Sequence, residues 1–92
     1  MLFQKKTFKD EEVLVDGNQF IECEFRNCVL QYGGGGGGVV LTSCQFDGCR
    51  WAFIRAAGDT VSFMKDLYHG GWKDVIERTF EDIRRAGPSA VN

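Results

Sequence analysis

The residues best suited to chemistry are four cysteines, a single histidine and a run of six glycines. The cysteines form two Cys-x4-Cys pairs, Cys23 with Cys28 and Cys44 with Cys49. Thiolates bind zinc, but structural zinc sites use tighter spacing, about two to four residues between paired ligands. The N-terminal MLFQKKTFKDEE has no apolar run of leader length, so a reducing compartment is expected, with the thiols free and packed as small hydrophobes. Any general acid–base or Cys–His chemistry would have to use His69. It stands in Tyr68-His69-Gly70-Gly71 at an expected helix C-terminus, where a cation is favoured without any catalytic role. Gly33 to Gly38 satisfy the G-x-G-x-x-G pattern trivially, yet the run leads into Val39-Val40-Leu41, a strand, whereas the dinucleotide fingerprint must open a helix. No Gly-Lys-Ser or Gly-Lys-Thr follows. No catalytic residue, metal or cofactor is expected; the alternative within enzymes is a small cysteine-dependent one.

The same cysteines belong to a longer pattern. Phe20, Phe25 and Leu30 are spaced by five residues, as are Leu41, Phe46 and Trp51, and adding 21 maps the first group onto the second. Two residues before each stand Asn18, Cys23, Cys28, Val39, Cys44 and Cys49. Neither the period of a plain strand nor that of a helix produces this beat. It requires a chain that turns a corner every five residues.

The stretches CEFRN, CVLQY, CQFDG and CRWAF, with the weaker NQFIE and VVLTS, resemble the pentapeptide-repeat family, in which a central Leu or Phe follows a small residue two positions earlier. The resemblance covers residues 18 to 53 and implies a short right-handed, four-sided β-helix of about two to three coils. It further implies that Phe20, Cys23, Phe25, Cys28, Leu30, Leu41, Cys44, Phe46, Cys49 and Trp51 point inward. Glu24, Arg26, Asn27, Gln45, Asp47 and Arg50 would then face water. The repeat departs from the family in lacking Asp or Asn before the central residue and in its 21-residue spacing. The glycine run, on the fourth side of a coil, absorbs the excess, and Ile54 to Gly58 should form that side of the next.

Residues 1–17 admit two readings. Phe3, Phe8 and Val13 keep the five-residue beat but fall in phase with Cys23 and Cys28, which leaves Lys5 and Asp10 at apolar positions. That suggests either a degenerate coil or a strand with a turn at Asp16-Gly17-Asn18. Coils over 18–58 are followed by a helical cap over 59–86. In it Asp59 or Thr60 serves as N-cap, and Val61, Met64, Leu67 and Tyr68 form one apolar face. A second helix from Trp72 to Ala86 carries Val75, Ile76, Thr79, Phe80 and Ile83 on one side. Its other side carries the pairs Asp74–Arg78 and Glu81–Arg85. A tail follows over 87–92. The fold class is therefore α+β, a single domain.

Composition narrows function. A net charge of −2 over 92 residues provides neither the basic stripe of a nucleic-acid binder nor the acidity of a polyanion mimic. No window has the apolar length of a membrane span. A soluble, cytoplasmic protein-interaction or scaffold module is expected, with no nucleic acid and no membrane as partner. The resemblance supplies an alternative, a DNA-mimicking modulator of topoisomerases. Two coils bury little, and the helices hold more large apolar residues than one coil end can cover, so a homodimer through the C-terminal helices is expected, alongside an unknown protein partner. The candidate partner surface is Gly33, Gly36, Gly38, Phe63, Trp72 and Phe80. Six glycines are costly to order, so an ordered run needs something to hold it, such as a neighbouring subunit.

Overall fold

The computed structural model describes residues 1–85. Nine short strands precede two helices. They are β1 (Leu2–Gln4), β2 (Thr7–Lys9), β3 (Glu12–Leu14), β4 (Gln19–Ile21), β5 (Glu24–Arg26), β6 (Val29–Tyr32), β7 (Val40–Thr42), β8 (Gln45–Asp47), β9 (Arg50–Phe53), α1 (Arg55–His69) and α2 (Lys73–Arg84). The strands form three parallel sheets, ordered β1-β4-β7, β2-β5-β8 and β3-β6-β9. The chain thus makes three passes, each laying one strand on each sheet.

The five-residue beat has a backbone cause. Each strand of the first two sheets (β1, β2, β4, β5, β7 and β8) is followed by a corner residue in the left-handed region: Lys5, Asp10, Glu22, Asn27 and Ser43 at φ 50 to 54°, and Gly48 at 64°. That conformation costs a non-glycine residue roughly 1–2 kcal/mol. The corner turns its amide toward the next pass, where Lys5 donates to Ile21 O, Asp10 to Arg26 O, Glu22 to Thr42 O and Asn27 to Asp47 O, all at 2.8–2.9 Å. Each such bond returns part of the strain. Asp10 and Asn27, which tolerate the conformation better than most, also join through their side chains at 2.7 Å.

The central residue of each strand points inward. Phe3, Phe8 and Val13 lie in register with Phe20, Phe25 and Leu30, and those with Leu41, Phe46 and Trp51. The rings stack along the pile: Phe3 on Phe20 at 5.2 Å, Phe8 on Phe25 at 5.0 Å, Phe25 on Phe46 at 5.1 Å. Neighbouring columns meet edge to face, as Phe20 does Phe25 at 69°. Both geometries suit the ring quadrupole. The core is Phe8, Val13, Val15, Phe20, Cys23, Phe25, Cys28 and Leu30.

This register corrects the phase expected for residues 1–17. Phe3 is 17 residues before Phe20, while Phe20 is 21 before Leu41, so the passes differ in length. Lys5 and Asp10 are therefore corners, and Phe3, Phe8 and Val13 are central. The physical reason is the first fourth side. Val15 to Asn18 closes as a tight turn, with the Asn18 amide on Val15 O at 3.1 Å and the Asn18 side chain on Leu14 O at 2.9 Å. The second pass fills the same side with Tyr32 to Val39, four residues longer.

The third pass has no such side. Ile54 to Gly58, expected to form it, instead opens α1, which starts before the expected cap at Asp59 or Thr60. The Ile54 amide still bonds Tyr32 O at 2.9 Å and the Ala57 amide bonds Gly33 O at 3.0 Å, so the helix springs directly from the pile. Gly58 permits this, because a Cβ there would stand 2.8 Å from Phe53 O. The closest packing of a helix on a strand is that of α1 on β9, and α1 packs against α2. Of α2 only Ile76 is buried, and α1 buries no residue. The charge pairs expected on α2 do not form. Arg85 instead meets Asp82 at 3.5 Å, with both side chains exposed. The expected helix end at Ala86 and the tail over 87–92 lie outside the described residues.

Candidate interaction surface at the open end

The two ends of the pile differ sharply. Phe8 and Val13, in the first pass, are 5% and 7% exposed. Phe46 and Trp51, their counterparts in the third, are 45% and 47% exposed. The first end is shielded in part by a charged residue, Lys6. Lys6 and Glu11 stand one residue before Thr7 and Glu12, which pair with Glu24 and Val29, so they occupy the positions held by Cys23 and Cys28 one pass later. The Lys6 ammonium lies 5.1 Å from the Phe3 ring centre and 4.9 Å from that of Phe8, a cation–π contact. A charge turned toward the interior, as Lys6 is, is a known guard against edge-to-edge stacking.

The third pass has no guard. Cys44 and Cys49 take those positions, and β7, β8 and β9 each pair on one side only. The amides of Ser43 and Gly48 occupy corners whose counterparts donate to a following pass, and among the described residues no pass follows. Of the ten residues expected inside, Phe20, Cys23, Phe25, Cys28 and Leu30 are buried. Leu41, Cys44 and Cys49 are half-buried, and Phe46 and Trp51 are exposed. The expectation of ten interior residues is corrected for this last pair because the helices do not cover the end.

The apolar surface continues around it. Val15, Tyr32, Gly37, Gly38, Val39, Val40, Trp51 and Phe53 line an open cavity of about 450 Å³, where the third pass lacks its fourth side. Beyond Phe53 a second one, about 440 Å³, runs between the helices past Val61, Met64, Tyr68, Ile76, Phe80 and Ile83. Phe63 and Trp72 are 61% and 59% exposed and Phe80 is 37% exposed, so these three expected partner-surface residues are accessible.

The glycine part of the expected surface changes. Gly33 is buried, while Gly36 and Gly38 are exposed. The run is held from within the chain. Asp16 Oδ1 accepts from the Gly33 amide at 2.8 Å and Oδ2 from the Gly35 amide at 3.1 Å. These bonds, Gly33's foremost, lower the Asp16 pKa below its ordinary 3.8. Gly37, at φ 79°, crosses Gly17 so closely that a Cβ would lie 2.9 Å from the Gly17 Cα. Asp16-Gly17 is visible in the sequence as a turn; that its carboxylate reaches two amides in the next pass follows only from the 17-residue register.

The thiols are free and each serves the backbone. Cys23, Cys44 and Cys49 donate weakly to the carbonyls of Phe3, Phe20 and Phe25 one pass below, at 3.3–3.4 Å, and Cys28 to Arg26 O at 3.3 Å. His69 ends α1 edge-on to Tyr68 at 5.3 Å. Among the described residues no group of three or more His, Cys, Asp or Glu is placed to hold a metal ion, and no helix is long and apolar enough to cross a membrane. No family model, curated protein or solved structure matches the chain.

Proposed function

We propose that the protein is a non-enzymatic interaction module that associates with a second copy of itself through its C-terminal apolar surface. That surface comprises the open third pass and the helices that follow it. The observation that carries this reading is the contrast between the two ends, 5% and 7% exposure for Phe8 and Val13 against 45% and 47% for Phe46 and Trp51. A contiguous apolar surface on a small protein marks an association site. Ile83 at 71% exposed and Phe53 at 57% extend it. The radius of gyration, 15.2 Å, exceeds the roughly 12 Å of a compact chain of this length, which accords with helices that lack a covering layer.

The three passes are read as a short right-handed, four-sided β-helix of pentapeptide-repeat type. The inward Phe and Leu with Cys two positions before, and the left-handed corner after each strand of the first two sheets, support this reading. So does the strong preference of parallel crossovers for the right hand. The DNA-mimic alternative draws no support from a net charge of −2.

Light scattering on the purified chain at micromolar concentration tests the reading. Twice the 10.3 kDa chain mass is expected. A mass of 10.3 kDa would overturn it.

A further inference from the structure

Resting on that self-association, we propose its geometry: a two-fold axis through the Gly48–Cys49 corner, pairing β8 antiparallel with β9 of the partner subunit. The two strands flanking this corner are complementary to each other. Gln45-Phe46-Asp47 and Arg50-Trp51-Ala52 each have an aromatic centre, and the residues next to the corner, Asp47 and Arg50, are opposite in charge. A two-fold through the corner sets Asp47 against Arg50 of the partner subunit, and Phe46 against Trp51 of the partner subunit. Symmetry makes each contact occur twice.

Three observations select this arrangement. First, β8 and β9 each have a free edge, since β8 pairs only with β5 and β9 only with β6. Antiparallel pairing supplies the hydrogen bonds those edges lack. Second, the Phe8–Phe25–Phe46 column ends on an exposed ring, and the partner's Trp51 continues it. Third, head-to-tail stacking, which would build an open filament, is opposed at the other end. There the Lys6 ammonium lies over the Phe8 ring, and Phe8 and Val13 are already covered. Only like ends can join, and the assembly closes at two chains.

Charge reversal tests the pairing, with sedimentation equilibrium as the readout and circular dichroism as the check on folding. Asp47→Arg alone and Arg50→Asp alone each create two like-charge contacts and should weaken dimerisation about a hundredfold or more. The double variant should regain the dimer. So should an equimolar mixture of the two single variants, because each then meets its opposite across the axis. Arg26 lies in register beside Asp47, so Asp47→Asn, which adds no positive charge there, serves if Asp47→Arg fails to fold; it should weaken the dimer less. Single variants as dimeric as the unmodified chain would overturn the pairing while leaving self-association intact, and so would single variants that mixing fails to restore. An unmodified chain that stays monomeric would overturn both.

Discussion

At the scale of single residues, one side-chain type takes opposite roles according to its pass. Phe25 has a ring stacked above and below it and is fully buried, whereas Phe46 has a ring on one face only. Phe25→Ala should therefore cost about 3–5 kcal/mol, the range for emptying a packed aromatic site. Phe46→Ala should cost about 1 kcal/mol in the dissociated chain, since much of its area is never withdrawn from water. Urea unfolding in dilute solution checks the order, and equal losses would mean that the third pass is covered. Asp16 gives a second test at this scale. Its pKa is depressed in the folded chain, so its stabilising effect is present above the unfolded value of about 3.9 and is lost as pH falls through the lower folded value. Asp16→Asn should remove part of the stability at neutral pH and flatten the acid limb of the stability profile below about pH 4. Hydrogen exchange at the Gly33 and Gly35 amides should quicken in the same variant.

At the scale of elements, much was legible and the failures share a cause. The beat of five, the 21-residue echo and the apolar stripe of α2 are local patterns, and strands and helix stand where those patterns lie. The phase of the first pass was not legible, because it depends on whether the side from Val15 to Asn18 takes four residues or eight. Both lengths are compatible with an Asp-Gly turn. Nor was the start of α1. Ile54 to Gly58 reads equally as a coil side or as a first helical turn, and what decides it is the contact between Gly58 and the Phe53 carbonyl, which no residue pattern announces. Gly58→Ala would raise helix propensity, yet its methyl would meet that carbonyl. The expected outcome is a net loss of stability in thermal melts, with α1 displaced from β9. A gain, as for an exposed helical glycine, would show that the contact is unimportant. The positions of Lys6, the guard of the first end, and of Glu11 were hidden for the same reason as the phase. Only the 17-residue register places them in the columns of Cys23 and Cys28.

At the scale of the whole molecule, the pile is closed at one end by charge and left open at the other, where the helices stand aside instead of covering it. The open end is the proposed association surface, and Trp51 reports on it directly. With Trp72→Phe removing the other indole, acrylamide quenching of Trp51 fluorescence can be followed as the chain is concentrated from dilute solution through the range where its mass doubles. Quenching is expected to fall in step with the rise in mass, as Trp51 becomes covered by the partner. Quenching that stays constant while the mass doubles, or a mass that never rises above 10.3 kDa, would contradict it.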